Sequence, residues 1–174
     1  MPSGGRVLDI CCGGGFFTKH FYSGRSGEVI AVDFDPTAIK HAKRHNSAPN
    51  VTYELCDIRE RLPKGPFDHV VWDGAIEHFT EEEMTSILRR IKAEMKPGAI
   101  LSGYTVKERD DGSQQHEDHE YEFKSIDDML RVFKPVFSNV LGFETVYPER
   151  HNLHFMMSEG PLPFDPDWGH SARL

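Results

Sequence analysis

Val7-Leu8-Asp9-Ile10-Cys11-Cys12-Gly13-Gly14-Gly15-Phe16-Phe17-Thr18 is the stretch whose reading decides the fold of this chain. An apolar run ends around an acid, three glycines follow, and the pattern then turns helical. A glycine turn between a buried strand and a helix brings backbone close to a ligand and aims the helix N-terminus at it. Alone the turn is ambiguous, because a tight turn needs glycine in any fold.

Working outward, apolar runs alternate with helical patterns. Residues 6–10 read as a strand and 16–22 as a helix. Residues 28–33 are a second strand, and 36–45 a second helix with Pro36 at its first turn. Residues 51–55 and 67–72 are the third and fourth strands. Thr80 and Glu83 have capping-box spacing, and Met84, Ile87, Leu88, Ile91 and Met95 repeat at helical spacing through Lys96. Lys96-Pro97-Gly98 then ends the helix, and 99–106 is a fifth strand. After a polar loop at 107–122, Ser125 caps a helix reaching about Phe133. Residues 139–147 and 151–158 pair as an antiparallel hairpin. Strands separated by helices imply an α/β protein, a parallel sheet with helices on both faces. Residues 1–159 form one domain and 160–174 a tail, whose prolines exclude regular structure through Gly169.

The 174 residues carry a net charge of −8, which argues against a duplex-binding protein and leaves small polar substrates open. Cys11, Cys12 and Cys56 form no Cys-x-x-Cys pair, and two of them are adjacent, so a reduced, intracellular protein is expected. No apolar run reaches the roughly 18 to 20 residues of a membrane span, and the first residues lack a signal-peptide core. The expectation is a cytoplasmic protein with no membrane partner.

Four features converge at the carboxyl ends of the strands, where open α/β sheets bind ligands. The first is the glycine turn. The second is Asp33, ending the second strand, which can accept both hydroxyls of a ribose; Asp35 suits the capping of the following helix better. The third is Cys56-Asp57-Ile58, where a carboxylate can accept from an adenine amine while Ile58 and Phe34 pack on the ring. A solvated turn aspartate is the plainer reading of Asp57. The fourth is Asp73-Gly74-Ala75-Ile76-Glu77-His78, after the fourth strand and opposite the turn.

Together these residues resemble the class I S-adenosylmethionine-dependent methyltransferases, small-molecule type, over about residues 6–106. The resemblance implies a Rossmann-like, seven-stranded, mostly parallel sheet with a C-terminal antiparallel hairpin, order 3-2-1-4-5-7-6. It implies S-adenosylmethionine as cofactor, held by Asp9, Ile10, Cys11, Gly13, Gly15, Asp33, Phe34, Cys56, Asp57, Ile58, Asp73 and Gly74. Two departures stand out. Cys11 occupies a position that is usually glycine; if positive φ is needed there, the side chain costs about 1 kcal/mol or more. The family's helical segment before the first strand is also missing, so either the chain is a fragment or something else closes the site. The tail with Phe164 and Trp168, or a partner chain, are the candidates.

Methyl transfer needs chiefly proximity, alignment and a dry pocket, with a base only where the acceptor loses a proton. His78 and His119 are the candidate catalytic residues, each with a plainer reading as packing or a surface loop. Glu77, His78 and His119 match part of the metal motif of the small-RNA 2′-O-methyltransferases, but Gly74 replaces its first glutamate, and no metal is assigned. The Asn/Asp-Pro-Pro-Tyr pattern of amino-group-modifying enzymes is absent after the fourth strand. The acceptor expected is a small or saccharide-like molecule, methylated at oxygen or carbon. A cofactor-binding module without turnover is the alternative, and a small-RNA enzyme a further one.

Overall fold

Val29-Ile30-Ala31-Val32 is apolar on both faces, as a strand must be when helices cover both sides of a parallel sheet. The computed structural model describes residues 4–164 and 171–173 and places this run in β2 (Glu28–Asp33), with all but its first residue buried. β1 (Arg6–Ile10) lies parallel between β2 and β4 (Phe67–Asp73). β3 (Val51–Leu55) flanks β2, and β5 (Met95–Val106) flanks β4. β6 (Asn139–Tyr147) and β7 (Arg150–Ser158) form the antiparallel hairpin, with β7 inserted beside β5. The order is therefore the expected 3-2-1-4-5-7-6, extended by a short eighth strand, β8 (Ser171–Arg173), parallel to β6. The tail thus adds a strand that was not anticipated. It begins beyond the last proline, where backbone N–H groups are free to pair. Trp168, a candidate cover, lies outside the described residues.

α1 (Pro36–His45), α2 (Glu81–Glu94) and α3 (Ile126–Phe133) start where their caps dictate. The Asp35 side chain accepts from Thr37 N at 2.7 Å, Thr80 and Glu83 form a complete capping box, and Ser125 accepts from Asp128 N at 3.2 Å. Two boundaries shift. α2 stops at Glu94 and β5 already begins at Met95, which pairs with Phe67, so Lys96-Pro97-Gly98 lies within the strand, beside a register break. The segment after the glycine turn is also not an ordinary helix. It widens into a π turn at Thr18–Tyr22 and tightens into a 3₁₀ turn at Ser23–Arg25, burying only Thr18 and Tyr22.

The main core lies between the sheet and α2 and α3. Met84, Ile87, Leu88 and Ile91 from α2, and Met129, Val132 and Phe133 from α3, meet Leu8, Val70, Trp72, Leu101 and Phe155 of the strands. Phe123, Phe133 and Phe155 run through it edge-to-face, with centroids 5.5 and 5.2 Å apart. On the other face, Tyr22 packs on Val7, Val29 and Val71, and α1 sets Ile39 and Ala42 against Ala31 and Tyr53. Gly103 allows β5 to close on β4: a Cβ there would lie 2.0 Å from the Trp72 carbonyl oxygen. Between β1 and β4 the strand order reverses, and their carboxyl ends frame the site.

Candidate cofactor and acceptor site

β1 delivers Asp9 and Ile10 to the turn, but both are buried beneath it rather than facing a ligand. Asp9 accepts from Thr18 Oγ1 at 2.6 Å, tying the strand end to the π turn. Burial raises its carboxyl to about 7, opposed by the Thr18 hydrogen bond and helped by the Asp73 and Asp33 charges. Ile10 is wholly in the core.

Cys11 has φ +57°, so the condition stated for this position is met: a side chain stands where the backbone is left-handed. That conformation costs roughly 1–2 kcal/mol for a residue with a Cβ. The thiol packs partly against the main core. Burial, followed by the charges of Asp33, Asp9, Asp57 and Glu77, pushes its pKa far up. Cys11 is therefore a protonated wall of the turn. Gly13 (φ +52°) donates its N–H to Asp33 Oδ2 at 2.8 Å. Gly15 (φ +76°) is buried against Tyr53, whose Oη would meet a Cβ at 2.5 Å.

Asp33 is not idle, as its sequence position suggested. One oxygen holds Gly13 N–H and the other holds Asp35 N–H at 2.9 Å, so the carboxylate ties the glycine turn to β2. Each oxygen keeps a second lone pair. Asp57 is likewise engaged: Arg59 forks onto both its oxygens at 2.7–3.1 Å and holds its pKa below the usual range. The same guanidinium stands 5.9 Å from the Phe34 ring.

A cavity of about 490 Å³ opens at this end of the sheet. It brings together Cys11, Asp33, Phe34, Cys56, Asp57, Ile58, Gly74 and His78 of the residues selected from sequence. Its size suits a small organic ligand. Asp9, Ile10, Gly13, Gly15, Asp73 and His119 do not line it. Asp73 turns away, its Oδ2 accepting a short hydrogen bond from Tyr22 Oη, and burial raises its pKa. Arg59 and Phe79 also line the cavity without having been singled out, together with Ala75 of the stretch after the fourth strand and Asp118 beside His119. Arg59 had a signal, since it follows Asp57 by two residues; Asp118 reaches the site only through the folding of the polar loop.

That loop is structured around Glu77. The Glu77 backbone oxygen accepts from the N–H groups of Glu120 and Tyr121, and its side chain from Thr105 Oγ1 at 2.9 Å. His119 is thereby buried with its ring edge-on to His78, centroids 5.0 Å apart. Its Nδ1 makes a short hydrogen bond to buried Glu122. His78, exposed at the cavity mouth, places Nδ1 3.1 Å from the Asp118 carbonyl. Ligand atoms of Glu77, His78 and His119 all lie within 4.8 Å of one another. Among the described residues no helix is long and apolar enough to cross a membrane.

This architecture and cleft are those of a class I methyltransferase domain. Residues 7–98 match the methyltransferase domain family, and the chain belongs to that family. It is 36% identical over 105 residues to an uncharacterised methyltransferase of Synechocystis sp., covering 59% of this chain and 47% of that protein. It is 32% identical over 104 residues to a ubiquinone biosynthesis O-methyltransferase of Xanthomonas axonopodis pv. citri, covering 58% and 42%. The chain thus spans less than half the length of these two relatives. Among solved structures, a putative methyltransferase of Bacillus halodurans C-125 superposes with TM-score 0.74 at 14% identity, over 92% of this chain and 95% of that one. The N-methyltransferase NodS of Bradyrhizobium japonicum WM9, in complex with S-adenosyl-L-homocysteine, superposes with TM-score 0.70 at 14% identity, over 89% and 78%.

Proposed function

We propose that this chain transfers the methyl group of S-adenosylmethionine to a hydroxyl of a small-molecule or saccharide-like acceptor. The observation that carries the reading is the cavity at the ends of β1, β2 and β4, lined by Asp33, Phe34, Asp57, Ile58 and Gly74 together. Asp33 has a lone pair on each oxygen for a ribose diol. Phe34 and Ile58 offer apolar surface to an adenine, and Asp57 an acceptor for its amine in competition with Arg59. The sulfonium is a cation, and the Asp33 carboxylate on the cavity wall favours a positive charge there. The names of the ubiquinone biosynthesis relatives support oxygen as the atom methylated.

The reaction is an in-line displacement. The acceptor oxygen forms a bond to the methyl carbon, the carbon–sulfur bond breaks, and its electron pair stays on sulfur as a neutral thioether. The hydroxyl proton goes to His78. Its Nδ1 carries the proton shared with the Asp118 carbonyl, which leaves Nε2 as the base at the cavity mouth. The test is product formation with a panel of hydroxylated and amine acceptors, read as S-adenosylhomocysteine released. His78→Asn is expected to slow turnover by about 10² or more while leaving cofactor affinity within about twofold. Cofactor binding with no turnover on any acceptor would instead support a binding module.

One observation favours a second reading. Glu77, His78 and His119 gather a carboxylate and two imidazoles, and Glu122 fixes the His119 ring through Nδ1, leaving Nε2 as donor. That set fits a divalent ion of the manganese-to-zinc series. A bound ion there would supply a Lewis acid for acceptor oxygens, as in the small-RNA enzymes that part of this pattern resembles. Calorimetric titration with Mn²⁺ and Zn²⁺ decides it: binding in the micromolar range, abolished by His119→Ala, supports a metal, and silence removes it.

A further inference from the structure

Phe16, Phe17 and Phe21 follow the glycine turn at spacings that would give a helix an apolar face, yet none is buried. They are 57%, 49% and 54% exposed, and they touch one another rather than the core, with centroids 5.4 to 6.3 Å apart. The π turn explains why: it directs Thr18 and Tyr22 inward and leaves the phenylalanines outside as one apolar ridge. A contiguous exposed aromatic patch of this kind marks an interaction surface.

The ridge's own turns carry the cations Lys19 and Arg25, although the whole chain has a net charge of −8. Residues 1–50 hold six Lys and Arg against four Asp and Glu, while the rest of the chain holds fourteen against twenty-four. The net is +2 on the first part and −10 on the second. Asp9 and Asp33 are buried and Glu28 and Arg6 neutralise each other, so the outward charge of this part is that of Lys19, Arg25, Lys40, Lys43 and Arg44 against Asp35. Lys19 joins the ridge to α1 through its bond to the His45 carbonyl at 3.1 Å, and α1 exposes Lys40, Lys43 and Arg44. Phe21 shares a shallow groove with Arg25.

We propose that this face docks on an anionic lipid surface, with the three phenylalanines inserted at the headgroup level and the Lys and Arg of the same turns and of the neighbouring α1 on the lipid phosphates. The sequence expectation of no membrane partner rested on the lack of a spanning segment, and a peripheral surface needs none. A lipid bilayer meets only one face, so the −10 elsewhere does not oppose it. A nucleic acid would need a denser cationic track along the rings than Lys19 and Arg25 provide. A second copy through the same patch would bring two cationic rims together.

The test is co-sedimentation of the chain with phosphatidylcholine vesicles carrying 0 or about 30% phosphatidylglycerol, at low and high salt. Binding is expected only with the anionic lipid and is expected to weaken with salt. A Phe16→Ser/Phe17→Ser/Phe21→Ser variant should bind at least tenfold more weakly, as should Lys40→Glu/Lys43→Glu/Arg44→Glu, with S-adenosylhomocysteine binding retained as proof of folding. Equal binding to neutral vesicles, no binding, or unchanged binding by the triple-serine variant would overturn the proposal. So would displacement from vesicles by a single-stranded RNA oligonucleotide at lower concentration, or concentration-dependent dimerisation lost with the serines. The outcome is independent of whether methyl transfer is found.

Discussion

Replacing Asp33 separates a ligand-binding carboxylate from a purely structural one. Both its oxygens already hold backbone N–H groups, from Gly13 and Asp35, so Asp33→Ala loses two internal hydrogen bonds as well as any made to a ribose. A single hydrogen bond to a charged group is worth about 1.5–3 kcal/mol, so loss of one ribose contact weakens cofactor binding roughly 10- to 150-fold. Asp33→Asn does not rescue. An asparagine has one acceptor oxygen where two donors point inward, leaving Gly13 or Asp35 N–H facing an amide NH₂. Both variants are expected to bind S-adenosylhomocysteine at least tenfold more weakly by calorimetry. The control is Asp35→Ala, which removes the α1 cap, costs about 1 kcal/mol of stability in urea unfolding, and leaves affinity unchanged. Affinity of Asp33→Ala within twofold of the parent would refute the ribose assignment, whatever its stability.

Asp9, raised to about 7 by burial, keeps its proton to higher pH than it does in the unfolded chain, where it titrates near 3.9. Its native-state penalty therefore grows from about pH 4 to about pH 7 and then stays full. Asp9→Asn should gain stability relative to the parent across that window in urea unfolding, and parallel curves would contradict the burial argument. His69, lowered to about 4 by burial, acts with the opposite sign: the stability of its neutral form is full above about pH 6.5 and lost as pH falls to about 4. His69→Phe should therefore be less acid-sensitive than the parent, and an equal loss would count against it. Gly15→Ala places a Cβ against the Tyr53 hydroxyl at a positive φ, and about 2 kcal/mol or more of lost stability is expected; a neutral change in thermal midpoint would mean the turn is more pliant than its geometry implies.

What could be read from the residues was what local chemistry decides. Caps at Asp35, Thr80 and Ser125 mark helix starts because a side-chain acceptor must meet orphan N–H groups. The strands of the parallel sheet are legible because burial on both faces demands unbroken apolar runs. Where two patterns compete, the reading went astray. Met95 continues the helical spacing of α2, yet its pairing with Phe67 makes it the start of β5. Residues 16–22 read as an ordinary helix, yet they widen into a π turn that buries Thr18 and Tyr22 and leaves Phe16, Phe17 and Phe21 exposed. β8 depends on the free edge of β6, which no local property of Ser171–Arg173 announces. At the site, Asp33 and Asp57 were visible as acids after strands. Their engagement by Gly13, Asp35 and Arg59 was not, because it depends on how the turns fold back. Glu122 stood in the polar run around His119 with no role assigned, and only the docking of that loop on Glu77 brings it behind His119.

The measurement closest to the central claim is a calorimetric titration of the chain with S-adenosylmethionine, S-adenosylhomocysteine and NAD. The cavity walled by Asp33, Phe34, Asp57 and Ile58, with the glycine turn beside it, predicts one-to-one binding of both sulfur nucleosides, and tighter than that of NAD, which shares only the adenosine. Preference for NAD, or silence toward all three, would contradict it.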